Sequence, residues 1–415
     1  MTIDKPLSIT ESTCRSCGSD QVDVFLDLGE TPLADRLEAL EPKVCDTLKF
    51  PLKTAFCSNC GLVQITETVR PDILFADRYP YYSSFSPALL AHSRDNVLDM
   101  MRRRQLDDSS LVIELASNDG YLLKNYVENG VPVLGIDPAD GPAKAAEKIG
   151  VPTMNTFFTD ALAAQLVNEG RRADIVHANN VLAHVADTNG FVAGLRQILK
   201  DDGVGVIEAP YLKPLIDNVE FDTIYHEHLC YFSVTALDKL FRRNGLYLNE
   251  IKHLDIHGGS LRLYVGRSED VTDSVTDQLA IEREIGLDKL EYFQDFSEKV
   301  LTLKKDLKEL LADLKSQGAS IAAYGAAAKG ATLINYVDLG PDVLDFVVDR
   351  NPHKQDMAMP GKHIPILPPE ALLDKRPDYV LLLAWNFAGE IIRQQDAYIQ
   401  AGGKFITPVP VPAIL

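Results

Sequence analysis

The strongest constraint on the fold is a pair of knuckles, Cys14-Arg-Ser-Cys17 and Cys57-Ser-Asn-Cys60, about forty residues apart. Each can aim two thiolates at one tetrahedral Zn²⁺ ion, and four thiolates close its coordination sphere. Five of the chain's six cysteines fall within the first seventy residues, a stretch rich in turn formers, and a domain that small needs a staple. The spacing is wider than in the commonest zinc fingers, so a folded loop must lie between the knuckles, with Cys45 in it as a spare. The alternatives are a redox dithiol or unligated thiols. The amino-terminal stretch MTIDKPLSITEST lacks the apolar core of a secretory signal, and no window reaches membrane-spanning length. A cytoplasmic location with reduced cysteines is expected, which favours metal over disulfide. Acidic flanks and the lack of a neighbouring histidine point to a structural zinc rather than an open catalytic one.

Beyond the knuckles the chain alternates strand and helix patterns, the signature of parallel sheets covered on both faces. SLVIELASNDGYLLKNYVENG, VPVLGIDPAD, DIVHANNVLAHV and DDGVGVIEAP read as the parts of one nucleotide-binding α/β unit. Residues 287 to 317 predict a long helix, with Phe293, Phe296, Val300, Leu303, Leu307, Leu310 and Leu314 on one stripe before Gly318. SIAAYGAAAKGATLINY then repeats the strand, small-residue turn and helix. The expected fold class is α/β, with two Rossmann-like doubly wound units behind a small zinc-binding domain. The expected bounds are 1–70 for the zinc-binding domain, 71–285 for a cofactor-binding unit and 286–415 for a C-terminal unit. Lysine and arginine number 41 against 60 acidic residues, a net charge of −19, which repels phosphate backbones and anionic membranes. Neither nucleic acid nor membrane is an expected partner.

The turn of the first unit, Glu114-Leu-Ala116-Ser117-Asn118-Asp-Gly120, is not the GxGxxG that holds a pyrophosphate on a helix N-terminus. A cationic methylsulfonium cofactor needs no such anion cradle. Glu114 beside the turn, and Asp137 with Pro138 on the next strand, fit S-adenosylmethionine, Asp137 accepting from the ribose hydroxyls. In the second unit Gly325-Ala-Ala-Ala-Lys329-Gly330 could present helix N–H groups to a pyrophosphate, with Lys329, Arg350 and Asn386 binding a sugar nucleotide. Asp349, about twenty residues on, also resembles an NAD fingerprint. That leaves an NAD-dependent sugar-nucleotide oxidoreductase as the alternative.

Eight features stand in order: the knuckles, RYPYYSS (Arg78 to Ser84), ASNDGYLL (Ala116 to Leu123), GIDPA (Gly135 to Ala139), NNVLAHV (Asn179 to Val185), YHEH (Tyr225 to His228), HGGSLR (His257 to Arg262) and YGAAAKG (Tyr324 to Gly330). This series resembles the S-adenosylmethionine-dependent sugar C-methyltransferases of antibiotic deoxysugar biosynthesis, most of all the dTDP-3-amino-4-ketohexose C-3-methyltransferases. The resemblance implies a sugar nucleotide between the two α/β units, with Tyr79, His184, Tyr225, Glu227 and His228 lining the reacting sugar. Tyr79, Tyr81 and Tyr82 compete for the active-site ring of RYPYYSS, and Tyr82 and Ser84 are candidate substrate contacts. A monomer is expected.

Methylation at carbon needs a carbon nucleophile, which a 4-keto sugar offers once the C-3 proton is removed to give an enolate. Histidine titrates near neutrality and is the natural base. On this reading His228 takes the proton, Glu227 orients it, and Tyr225 or Tyr79 donates to the enolate oxygen. His226 occupies the variable position of the motif, and its side chain is expected to diverge from its neighbours.

Overall fold

The computed structural model of the chain describes residues 6–40, 47–74 and 82–415, with only the backbone of His257. Cys45, Tyr79 and Tyr81 lie outside the described residues.

The amino-terminal domain is built on strands β1 (Val22–Pro32), β2 (Lys49–Cys57) and β3 (Val63–Ile65), paired antiparallel. Helix α1 (Pro87–Arg104) begins on a proline, capped by the Ser86 hydroxyl accepting from the Leu89 N–H. The middle unit follows with β4 (Val112–Leu115), β5 (Val133–Ile136), α2 (Asp140–Lys148), β6 (Thr153–Met154), β7 (Ala173–Asn179), α3 (Thr188–Ile198) and β8 (Leu199–Pro210). Then come β9 (Cys230–Tyr231), α4 (Val234–Arg243), β10 (Tyr247–Leu254) and β11 (Ser260–Gly266). Seven strands form one sheet in the order β10-β11-β8-β7-β4-β5-β6. Its core strands run parallel, but β11 is antiparallel to both neighbours. That reversal departs from a purely parallel sheet, and alternation in the sequence does not reveal it. It leaves Arg262 directly across from Glu208, where the two form a buried ion pair at 2.7 Å.

Strand β9 belongs elsewhere. Although it lies in the middle of the chain, it pairs antiparallel with β3 and completes the sheet of the amino-terminal domain. The knuckles are also clasped from outside: the Asn189 side chain of α3 donates to the carbonyls of Arg15 and Ser16, and Arg243 of α4 donates to Ser16. The first domain is thus a wall of the second rather than an appendage.

Helix α6 (Glu291–Ser316), preceded by α5 (Asp273–Ile285), carries the expected stripe with one change. Leu311 is buried and Leu310 only half-buried, because the seam after Leu307 steps by four residues rather than three. The helix ends at Gly318 in the left-handed region, φ +84°. Phe293 lies 5.0 Å from Phe25 and 4.8 Å from Phe56 between ring centres, so the helix also covers the zinc-binding domain. A fully buried ring or leucine of this kind contributes about 1.5–3 kcal/mol.

The last unit has β12 (Ile321–Tyr324), α7 (Ala328–Val337), β13 (Val347–Val348), β14 (Ile366–Leu367), β15 (Tyr379–Leu382), β16 (Lys404–Thr407) and β17 (Ala413–Ile414). They form a six-stranded sheet ordered β14-β13-β12-β15-β16-β17, parallel except for β17. Among the described residues no helix is long and apolar enough to cross a membrane.

Candidate functional site

The knuckles are a matched pair. In each, the glycine after the second cysteine, Gly18 or Gly61, has positive φ and turns its N–H back to the carbonyl of the first cysteine, 2.8 Å in both. All four Sγ atoms lie within 4.8 Å of one another, with Cys14 and Cys60 3.5 Å apart and Cys17 and Cys57 3.6 Å apart. Tetrahedral Zn–S bonds of about 2.3 Å require sulfurs about 3.8 Å apart, so the cluster fits one zinc ion with no position left for substrate.

In the first α/β unit the turn after β4 is strained, with Ala116 at φ +58°, Asn118 at +49° and Gly120 at +77°. It wraps the acid at the end of β5. The Asp137 carboxylate accepts the Asn118 N–H and the Ala139 N–H, each at 2.8 Å, leaving further lone pairs for a ligand. Gly135 permits this crossing, since a Cβ there would meet the Ser117 hydroxyl at 2.5 Å. Pro138 follows at the half-buried edge of the turn. The second unit repeats the device: Asp349 accepts the Ala326 N–H at 2.7 Å and the Asn351 N–H at 2.8 Å. The end of RYPYYSS is fastened to the first turn. Ser83 N–H donates to the Asn118 side chain, Ser84 donates to Asp119 through both N–H and hydroxyl, and the Tyr82 hydroxyl lies against Gly141.

His228 lies in the middle unit beside His184 and Tyr225. It follows a 3₁₀ turn, Phe221–Thr223, and precedes β9, whose pairing with β3 fixes the stretch from its far end. The Nδ1 atom is 3.0 Å from the Thr223 carbonyl oxygen. A carbonyl only accepts, so Nδ1 carries the hydrogen and Nε2 the lone pair, which faces the Tyr225 hydroxyl at 3.0 Å. The His184 ring stands 4.8 Å away, and burial pushes its pKa down to about 4. Tyr225 and His228 are half-buried, whereas His226 and Glu227 point inward, 0% and 5% exposed. His226 donates to the Pro51 carbonyl of β2 at 3.2 Å. The orienting partner of His228 on Nδ1 is therefore the Thr223 carbonyl, where the sequence reading placed Glu227. That carboxyl is pushed up to about 8, first by burial and then by the charge of Asp35.

Beside this loop the C-terminal unit contributes Lys329. Its ammonium donates to the Asn386 side chain at 2.9 Å and lies over the Trp385 ring at 4.4 Å. Burial lowers its pKa, opposed by the charges of Asp222 and Glu220. Trp385 donates to Asp222 at 2.7 Å, tying the units together. Arg350 is exposed and pairs with Glu390 at 3.2 Å.

Residues 14–75 match the model of a zinc-binding domain, 87–251 that of a methyltransferase domain and 255–410 that of the C-methyltransferase C-terminal domain. Along 405 residues the sequence is 34% identical to C-methyltransferase NovU of Streptomyces niveus, covering 97% of this chain and 96% of the relative. The chain belongs to the C-methyltransferases. A ubiquinone biosynthesis O-methyltransferase of Bartonella tribocorum is 26% identical over 29% of the chain and 51% of its own length. Magnesium protoporphyrin IX methyltransferase from Synechocystis, solved with bound S-adenosylmethionine, covers 44% of the chain and 82% of its own, at 15% identity and a TM-score of 0.34.

The cofactor of this C-methyltransferase is S-adenosylmethionine, and the turn residues fit it. The Ser117 hydroxyl and Asp119 Oδ1 are buried without a hydrogen-bond partner among the described residues, and the buried Glu114 carboxylate accepts from the Tyr121 side chain with lone pairs to spare. These are mostly acceptors gathered at one turn, which suits a ligand bearing an ammonium, a sulfonium and ribose hydroxyls. Burial, and then the nearby Asp137, Asp119 and Glu208 charges, push the Glu114 pKa well up. Asp35, Glu220, Asp222, Lys354 and Trp385 escaped the sequence reading. Trp385 is the chain's one tryptophan and stands next to Asn386, a signal that was present. The others are brought in by contacts between domains, which no local pattern records.

Proposed function

We propose that this C-methyltransferase methylates C-3 of a dTDP-linked 4-keto deoxysugar in antibiotic deoxysugar biosynthesis, acting in the cytoplasm as a monomer, with His228 as the base. The observation that carries the reading is the fixed tautomer of His228, whose Nε2 lone pair is held in a half-buried position beside Tyr225 and His184. Removal of the C-3 proton by Nε2 sends the C–H electron pair into an enolate, and such a base contributes roughly 10²–10⁴ in rate. The cofactor supplies an electrophilic methyl group. Tyr225, Tyr79 and His184 are the groups proposed to face the sugar with His228, and Tyr82 and Ser84 to close over it.

The nucleotide end is assigned to the C-terminal unit. Its turn and acid, Ala326 and Asp349, match those of the cofactor turn in hydrogen bonding, which supports a nucleoside ligand there. Lys329 already faces two carboxyls, so its role is proposed as a contact to the sugar's oxygens with Asn386, leaving the diphosphate to the α7 N-terminus and Arg350. The test is C-3 exchange: with a dTDP-4-ketosugar in D₂O and S-adenosylhomocysteine in place of the methyl donor, the wild type should replace the C-3 proton by deuterium. With S-adenosylmethionine, mass spectrometry should show one added methyl group. A panel of dTDP-4-ketosugars showing neither result would refute the reading.

A further inference from the structure

The zinc-binding domain and the C-terminal unit meet across a two-residue ladder, in which Glu38 and Ala39, after β1, pair antiparallel with Ala358 and Met357. The C-terminal partner is one arm of a hairpin: Ala358 bridges Pro365, and the Met359 N–H donates to the Ile364 carbonyl at 2.8 Å. Its base is anchored, with Ala358, Met359 and Ile364 at 0% exposure. Its tip is wedged between the two domains. A Cβ on Gly361 (φ +75°) would come within 2.5 Å of Asn335 on α7 and 2.8 Å of Pro32 on β1, and the Asn335 side chain donates to the Pro360 carbonyl at 2.9 Å. The Glu38 carboxylate reaches across to this tip, accepting the Gly361 N–H at 3.0 Å and the Thr47 hydroxyl at 2.6 Å. Close by stands His363, a non-glycine residue in the left-handed region at φ +52°. Its ring joins both segments: Nδ1 lies 3.1 Å from Glu38 Oε2, and Nε2 lies 3.1 Å from the Leu40 carbonyl oxygen.

Both of those oxygens can only accept. The carbonyl has no hydrogen to give. Burial works against the Glu38 charge, but hydrogen bonds from Thr47, Gly361 and His363 hold the carboxyl below its ordinary range, so it is ionised near neutrality. A neutral imidazole carries one N–H and can make one of the two bonds, whereas an imidazolium makes both. We propose that His363 is a proton-operated clasp between the zinc-binding domain and the C-terminal unit, closed as the imidazolium across Glu38 and Leu40 and loosened when the ring loses its proton. The ring is within reach of solvent, its side chain 43% exposed against 23% for Glu38. Glu38 is the charge that faces it. On the same hairpin Lys362 is turned to Asp338 at the end of α7, which Lys308 of α6 also approaches, and Lys354, before the hairpin, donates to the Ala326 carbonyl. Glu38 first, and then the Leu40 carbonyl, hold the His363 pKa above its ordinary 6.5. The stabilisation from the clasp is therefore complete below about pH 6.5, the unfolded value, and lost as pH rises through the folded one. The Glu38 segment leads out of β1, whose partner β2 holds His226 of the active loop through the Pro51 carbonyl, so the clasp also steadies the wall behind that loop.

Two measurements on the zinc-loaded full chain test this without any ligand, so their outcome is independent of the sugar reaction proposed above. In histidine ring NMR, with the His363 signal identified by its loss in His363→Gln, that ring should titrate above 6.5. The midpoint should fall in Glu38→Gln, which keeps an oxygen acceptor but no charge. Hydrogen-exchange mass spectrometry is read as protection factors, which removes the intrinsic pH dependence of exchange. Peptides spanning 33–40 and 357–363 should lose about threefold or more of their protection between about pH 6 and about pH 9, with the midpoint of the NMR titration. In His363→Gln the same peptides should be less protected at about pH 6 and show no such step, because an amide side chain takes up no proton in this range. A His363 ring that titrates at or below 6.5 overturns the proposal, as does a midpoint unmoved in Glu38→Gln. Flat protection in the wild type, or a step that survives in His363→Gln, overturns it equally.

Discussion

The Tyr225 hydroxyl lies 3.0 Å from Nε2 of His228, on the one ring nitrogen that has a lone pair to offer. A substrate proton must reach that nitrogen, so the tyrosine has to yield its place or relay the proton. His228→Asn keeps much of the shape but cannot act as a base near neutrality. It should cut C-3 exchange by about 10² or more while both ligands still bind. Tyr225→Phe should leave exchange measurable, with a loss of up to about 10²–10³ for one missing donor. Exchange in the His228 variant equal to wild type would move the base elsewhere, with His184 next.

His226 is a bolt between domains. Replacing it with Asn leaves the Pro51 carbonyl without its donor and should cost about 1–3 kcal/mol at pH 7, with exchange retained. Burial holds the folded pKa at about 4, below the unfolded value of about 6.5. The unfolded chain therefore binds the proton more tightly, and the stability that His226 contributes is present above pH 6.5 and lost as pH falls toward 4. Urea melts should show the gap between wild type and variant shrinking between about pH 6.5 and pH 4.5. A constant gap would contradict this placement.

Cys57→Ser opens the zinc sphere. Since β9, two residues after His228, hydrogen-bonds to β3, the damage should reach the active loop. Metal analysis should show loss of zinc, accompanied by a lower melting temperature, before any selective kinetic change. A metal-free variant with wild-type stability would refute a structural zinc.

Asp137→Ala removes both the proposed ribose acceptor and the acceptor for two backbone N–H groups of the turn. Calorimetry should show S-adenosylmethionine binding weakened by about 1.5–3 kcal/mol per lost hydrogen bond, with dTDP binding unchanged. Equal loss of both ligands would mean that they have been placed in the wrong units.

Trp385→Phe keeps the ring under Lys329 and removes the hydrogen bond to Asp222, a residue that is 0% exposed. A buried acceptor stripped of its donor costs about 1–3 kcal/mol. Asp222, pushed up by burial to about 6, should then titrate higher still. Unchanged thermal stability would show that this tie between the units is not needed.

The sequence by itself determined what depends on neighbours along the chain. Two CxxCG turns specify a tetrathiolate centre because each knuckle is a local loop. The strand–turn–acid pattern around Glu114 and Asp137 specifies the cofactor unit, because turn and strand are only some twenty residues apart. The stripe on α6 was legible but for the step from Leu310 to Leu311, where a helical period of 3.6 residues accommodates either position. Only the tertiary structure decided which groups meet from far apart: β9 joining the zinc-binding sheet, Thr223 rather than Glu227 on the His228 ring, and Asp35 coming to Glu227. Hydrogen bonds and charge act through space, and a contact between residues 35 and 227 leaves no periodicity or spacing for a linear reading to find.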